Sequence, residues 1–142
     1  MNPKPPGTAS ASALIGQLGQ HFAVIQDGRP LALGIHKAIL ARLPDLDPGQ
    51  LRSAMKAHTQ STRYLKGLLA TQDRFNLDGQ VDGDVTNEQR QIAQATLEAR
   101  FQRIAERRRA ERRAQEEATR QARAEQERQA KLAQLVARFN GR

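Results

Sequence analysis

Residues 105–131 contain no apolar side chain larger than alanine, and no other feature of this 142-residue chain restricts its fold as much. A segment of that composition has nothing to bury and cannot offset the entropy lost on packing. Any core must therefore be drawn from residues 13–104. The charge divides the same way. Residues 1–98 carry ten basic and nine acidic side chains, a net of +1, and residues 99–142 carry thirteen and six, a net of +7. An excess of positive charge on this scale favours an anionic partner. The extension can be helical, since Glu116 and Arg120, and Glu127 and Lys131, stand at the supportive i,i+4 spacing. Helical from 87 to 136, it would run roughly 75 Å at 1.5 Å per residue. Its a and d positions would be Arg, Glu, Gln and Ala, which excludes a heptad seam. A last apolar patch, Leu132, Leu135, Val136 and Phe139, follows it.

Before the extension, apolar residues recur at helical spacing between turn signals. Residues 1–11 are rich in Pro, Gly and Ser and read as disordered. Leu14, Ile15, Leu18, Phe22 and Ile25 predict a first helix, capped by Ser12 and ending near Asp27-Gly28. Pro30 forces a restart, and Leu33, Ile35, Ile39, Leu40 and Leu43 predict a second helix stopped by Pro44. Asp47-Pro48-Gly49-Gln50 starts a third, with an acid at the cap and proline at the first helical position. His58-Thr59-Gln60-Ser61 resets the spacing for a short fourth helix through Tyr64, Leu65, Leu68 and Leu69. Residues 74–85 alternate around Gly79 and predict one or two small hairpins. Thr86-Asn87-Glu88-Gln89 is a capping box opening the long helix, whose predicted buried face is Ile92, Ala93, Leu97, Phe101 and Ile104.

Several kinds of chemistry find no support. The chain has no cysteine, which excludes disulfides, thiol catalysis and zinc-thiolate sites. His21, His36 and His58 are spaced too irregularly for a helical metal pair. The acidic stretch from Asp78 to Asp84 begins like a calcium loop but has Gln80 and Gln89 where ligating acids are required, so it reads as a turn. No nucleotide-binding or nucleophile motif is present. No apolar run approaches the ~20 residues of a membrane span. The expectation is a cytoplasmic protein, not an enzyme, without cofactor, metal or small-molecule substrate, and monomeric.

The positive constellation is of another kind. Arg52 and Lys56 share a face of the third helix, either as a solvated surface or as a phosphate track. Arg63, Tyr64 and Lys66 open the fourth helix, and Arg74 begins the hairpin. Tyr64 reads equally as a core aromatic with a satisfied hydroxyl or as a functional group. The first N–H groups of the fourth helix, between Thr59, Ser61 and Arg63, form an anion-binding end.

Four segments in order, Arg29-Pro-Leu-Ala-Leu-Gly34-Ile, Leu51-Arg52-Ser-Ala-Met-Lys56-Ala-His-Thr59, Ser61-Thr-Arg63-Tyr64-Leu65-Lys-Gly67 and Arg74-Phe-Asn-Leu77-Asp78-Gly79, resemble the ProQ/FinO domain of bacterial RNA chaperones over about residues 12–104. The resemblance implies a mainly α fold: a compact helical domain with a small β-hairpin, followed here by residues 105–142 as a solvated helix or flexible basic tail. It also implies a concave basic face that holds the base of a terminator hairpin and its 3′ uridine tail. By matching position, Arg29, Gly34, Arg52, Lys56, Tyr64, Leu65 and Arg74 fall where such proteins contact or shape the RNA site. Ala32 and Gly49 stand where other members often carry lysine, which implies a less basic rim. Longer members add an SH3-like domain after a linker, and no segment here resembles one.

The implied function is an RNA chaperone that protects small RNAs and mRNA 3′ ends and promotes RNA–RNA pairing in post-transcriptional regulation. A protein reading A-form stems works through shape, phosphates and 2′-hydroxyls, which suits this residue set. In that role Tyr64 and Arg74 would form a small pocket for the 3′-terminal nucleotide, with a phosphate at the Thr59–Arg63 helix start. The alternative is a structural or protein-interaction module with the charged helix as spacer and the Leu132–Phe139 patch as its docking end.

Overall fold

The computed structural model describes residues 10–141. Six helices and one hairpin follow in order: α1 Ala11–His21, α2 Ala23–Gln26, α3 Ile35–Arg42, α4 Pro48–Thr59, α5 Thr62–Ala70, β1 Asp73–Phe75, β2 Val81–Asp84 and α6 Asn87–Asn140. Among the described residues no helix is long and apolar enough to cross a membrane. The chain divides into two units after Glu98.

The starts of α4, α5 and α6 follow the predicted chemistry. The Asp47 carboxylate accepts the Gln50 N–H at 3.0 Å, and Ser61 Oγ accepts the Tyr64 N–H at 3.2 Å. At α6 the capping box is reciprocal: Gln89 N–H donates to Thr86 Oγ1 at 3.2 Å, and Thr86 N–H donates to Gln89 Oε1 at 3.1 Å. The first helix departs from expectation at both ends. Its cap is Ser10, not Ser12, with Ala13 N–H on Ser10 Oγ at 3.1 Å, and the earlier start brings Ala11 against the core. The rest of the segment expected to be disordered, residues 1–9, lies outside the described residues. At its other end α1 breaks at Phe22, which is extended at φ −131° and ψ 111°, before α2 resumes. The break turns Val24 inward beside Ile25, which a continuous helix burying Leu14, Leu18 and Phe22 would not do.

The second predicted helix also starts later than its apolar spacing suggests. Leu33 is 84% exposed, while Gly34 sits at the N-cap of α3 with φ +76°. That left-handed conformation suits glycine.

Residues 74–85 form a single hairpin. Asp73 pairs with Asp84 and Phe75 with Val81, so Asp82 and Gly83 together oppose Arg74 in a bulge. Asn76 Oδ1 accepts the N–H groups of Asp78 and Gln80 at 3.0 and 2.9 Å, which makes the start of the acidic stretch a side-chain-stabilised turn, and the rest of that stretch is β2. Phe75 also pairs with residues 30–32, donating to Pro30 O and accepting from Ala32 N–H, both at 2.8 Å.

The core gathers Leu14, Leu18, Ile39, Leu51, Ala54 and Tyr64 with the hairpin's Leu77 and the Ala93 and Leu97 of α6. Helix α1 packs on α4, and α4 on α3 and α5. The predicted buried face of α6 is shorter than expected. Ala93 and Leu97, one turn apart, face inward, while Ile92 lies about 100° round the helix and is 67% exposed. Phe101 and Ile104 are exposed too. From residue 101 to 141 every side chain is exposed. Two ion pairs of this second unit are Glu117–Arg120 at 3.3 Å and Glu125–Arg128 at 3.6 Å. They use i,i+3 spacing in place of the i,i+4 pairs expected from sequence.

Candidate functional site

Helix α4 separates two roles along one cylinder. Leu51, Ala54, Met55 and His58 are buried, and Arg52 and Lys56 are exposed on the opposite side, one turn apart. Neither cation has an ion-pair partner among the described residues. They are therefore available to an external anion at no cost in lost internal pairs.

The turn from α4 into α5 is held by its own hydroxyls. Thr59 Oγ1 donates to Met55 O at 2.9 Å, and Ser61 Oγ donates to His58 O at 2.6 Å while capping Tyr64 N–H. These side chains build the helix start, so an anion there would meet backbone N–H groups and the Arg63 side chain rather than the two hydroxyls. Arg63 is exposed, and its aliphatic stem runs over Gly28, where an added Cβ would stand 3.1 Å from Arg63 Cγ. Gly67 comes still closer to that turn, since a Cβ on it would collide with the Gly28 carbonyl oxygen. Glycine at 28 and 67 thus lets α5 lie directly against the chain entering Pro30.

Tyr64 is a core residue, 4% exposed, and its Oη accepts the Leu31 N–H at 3.1 Å. Its ring tilts against His58 with centroids 5.3 Å apart. Arg74 is buried as well, at 8% exposure. Its guanidinium donates to Leu31 O at 2.8 Å, to Asp84 O at 3.1 Å and to Gln89 Oε1 at 2.8 Å. Three of its five N–H groups are occupied by the protein itself. Arg74 is thus first a cross-link between the 30–32 segment, the hairpin and the start of α6. Even so, Thr59, Tyr64, Leu65 and Arg74 line one hollow of about 320 Å³, together with Gln89 and Ile92 of α6.

The other six predicted residues, Arg29, Gly34, Arg52, Lys56, Ser61 and Arg63, do not line that hollow. Arg29 places its guanidinium over the Phe75 ring, 5.3 Å from the centroid, and 3.9 Å from the Asp27 carboxylate. Gly34 is the exposed cap of α3. The sequence reading missed Gln89 and Ile92 as lining residues. Gln89 was visible as the capping-box residue, but its second role, receiving Arg74, has no local signal. Ala32, expected to lie on a less basic rim, is buried at 7% exposure.

His58 adds a polar group to this region. Its Nε2 is buried and has no hydrogen-bond partner among the described residues. Burial, and secondarily the Arg63 charge, hold its pKa below the usual 6.5. Among the described residues no group of three or more His, Cys, Asp or Glu side chains could hold a metal ion.

Comparison with known proteins places this arrangement. Residues 8–115 match the ProQ/FINO family model. The chain is 36% identical over 100 residues to the RNA chaperone ProQ of Idiomarina loihiensis, an alignment covering 68% of this chain and 48% of that protein. It is 34% identical over 90 residues to the RNA chaperone ProQ of Aliivibrio fischeri, covering 61% and 43%. The chain thus spans about half the length of the curated relatives it matches. A crystal structure of a FinO-like RNA chaperone from Neisseria meningitidis superposes with a TM-score of 0.56 at 32% identity, over 59% of this chain and 89% of that one. The solution structure of a ProQ homolog from Legionella pneumophila has the same fold, with a TM-score of 0.52 at 20% identity over 71% and 91%. With most of its length inside the family model and its fold shared by two solved structures, this chain belongs to the ProQ/FinO family.

Proposed function

We propose that this chain is a non-enzymatic RNA chaperone that holds the base of a terminator hairpin and its 3′ uridine tail, and that promotes pairing between complementary RNAs. The observation that carries the reading is the pair Arg52 and Lys56, exposed one turn apart on α4 without internal partners. An A-form stem presents phosphates and 2′-hydroxyls rather than readable base edges, and two cations at this spacing suit that backbone. The hollow beside Tyr64 and Leu65 receives the 3′-terminal nucleotide. In this reading Tyr64 forms a wall, and Arg74 maintains the shape of the hollow and offers its remaining N–H groups. Arg63 and the start of α5 hold a phosphate nearby. Arg29 and Gly34 act from the neighbouring turn, as shaping residues.

Residues 12–104 are the RNA-binding domain in this proposal, and residues 105–142 are a basic extension. The net +7 of residues 99–142 lowers the repulsion between two RNA strands, a step needing no catalytic group or cofactor. The protein acts in the cytoplasm as a monomer. The test is a titration of terminator hairpins that differ only at the 3′ end. Extending the tail or blocking its terminal hydroxyls weakens binding if the hollow takes the end. Equal affinity for free and blocked ends refutes it.

A further inference from the structure

One of the clefts that the function proposed above leaves without an occupant combines apolar walls with a cation. It lies between α1, α2, the end of α4 and the start of α5, and has a volume of about 730 Å³. Ile15 and Ile25 give it apolar walls, Gly16 and Gly19 of α1 line it, and Arg63 borders it.

The two glycines differ in a way that separates packing from vacancy. A Cβ at Gly19 would stand 3.4 Å from Gln26 Cβ, in van der Waals contact where α1 packs on α2. A Cβ at Gly16 would meet nothing within 4 Å. Gly16 also lies within α1 and has no positive φ. Neither sterics nor backbone conformation calls for glycine there, although glycine inside a helix is unfavourable relative to alanine. What glycine does provide is bare helix backbone beside an open cleft, where a flat group can lie close.

The chemistry of the lining narrows the occupant. Among the described residues no Asp or Glu borders the cleft, and the one cationic side chain that does is Arg63, which is exposed and has no ion-pair partner there. His58, more than nine-tenths buried with an unpartnered ring nitrogen, lines it as well. A ligand matching this set combines a flat, largely apolar body with one anionic group. The start of α5 also separates two hollows, with Tyr64 and Leu65 facing one and Ser61 and Arg63 facing the other. A single strand crossing the helix start would reach both.

We infer that the cleft is a second nucleotide subsite, in which an unpaired nucleotide flanking the stem lays its base along α1 at Gly16 and its phosphate at Arg63. The inference rests on the RNA-binding reading and adds a position to it. Filling the cleft tests it without touching a charged residue: Gly16→Leu places a side chain in the open space, and Gly16→Ala controls for helix propensity.

The experiment uses the full chain and a terminator hairpin carrying 4-thiouridine at one unpaired position at a time, 5′ and 3′ of the stem. Cross-links are mapped by mass spectrometry, and affinity and melting are measured alongside. One unpaired position is expected to cross-link to residues 11–20 in the parent protein. Gly16→Leu should abolish that cross-link and weaken the flanked hairpin about tenfold, the scale of one lost base contact. It should leave a hairpin without unpaired flanks unaffected and should not lower the melting temperature. Normal binding with no cross-link to α1, or unchanged affinity in Gly16→Leu, overturns the subsite alone. A parent protein that binds no hairpin overturns the RNA reading and the subsite with it.

Discussion

The Arg74 guanidinium donates to Gln89 Oε1 at 2.8 Å, and that same oxygen accepts the Thr86 N–H that begins α6, at 3.1 Å. One glutamine oxygen therefore ties the helix cap to a buried arginine. Through its other contacts Arg74 reaches Leu31 O and Asp84 O, so three chain segments meet on one side chain. Because the group is charged and largely buried, these bonds are stronger than neutral ones, and losing them strands acceptors away from water. Arg74→Ala should cost about 3 kcal/mol of stability, read by urea unfolding, and Gln89→Ala should cost less because the backbone acceptors of Arg74 survive. A stable Arg74→Ala protein that only loses RNA affinity would contradict this structural role.

Tyr64 separates ring from hydroxyl. The ring fills core space against His58, while the hydroxyl is the acceptor for Leu31 N–H. Tyr64→Phe keeps the packing and leaves that buried N–H unsatisfied, at a cost of about 1–2 kcal/mol. Tyr64→Ala adds a cavity and should cost about 3–5 kcal/mol. RNA affinities of the two variants are comparable only well below their melting temperatures, and Tyr64→Phe is the variant that tests a hydroxyl contact to the 3′ end.

His58 makes stability depend on pH. Its folded pKa lies below 6.5 because burial, and then Arg63, disfavour the imidazolium. As pH falls the unfolded chain takes up the proton first, at about 6.5. His58 therefore contributes its full stability above about pH 6.5, and that contribution is lost as pH falls through the folded pKa. Urea unfolding at a series of pH values between 7.5 and 4.5, on the parent and on His58→Gln, should show a shallower fall in the variant.

How far these features could be read from sequence depends on how local their causes are. Caps at Asp47 and Thr86 were legible because each motif occupies four adjacent residues and satisfies its own N–H groups, while at α5 only a hydroxyl or amide cap within residues 58–61 was legible, and it is Ser61. The Asn76–Gln80 turn was legible on the same ground. The break at Phe22 was not, since no Gly or Pro marks it and only the burial of Val24 requires it. Ile92 misled because it lies about 100° round the helix from Ala93, and Phe101 because helical periodicity shows which residues share a face but not which of them are buried. Arg74 reads as a surface cation until its three acceptors, 10 to 43 residues away in sequence, are brought to it. At the candidate site the residue types were visible, and their grouping around two hollows was not.

The exposed pair on α4 leads to a prediction about salt. Arg52→Ala and Lys56→Ala should each weaken different terminator hairpins by similar factors and lower the slope of log affinity against log salt by about one contact. Neither change should move the melting temperature, because neither residue pairs internally. Lys37 on α3 is the better comparison site. Arg42 is not suitable, since it bonds Asp78 at 2.8 Å and lies over the Phe22 ring. A loss confined to one RNA sequence would argue for base readout and against phosphate contact.

Deleting the chain from Glu106 onward separates binding from annealing. Every side chain from residue 101 to 141 is exposed, so the deletion removes no buried apolar group and should leave the melting temperature of the remaining domain nearly unchanged. Terminator affinity should fall modestly, and most of that difference should vanish at high salt, where diffuse charge is screened. The rate of pairing between two complementary RNAs should fall further, because approach of two polyanions depends on positive charge beyond the specific site. Melting, affinity and annealing are measured on both proteins in one buffer. Loss of terminator binding at every salt concentration would place the specific site in the extension, and unchanged annealing would remove the role proposed for its charge.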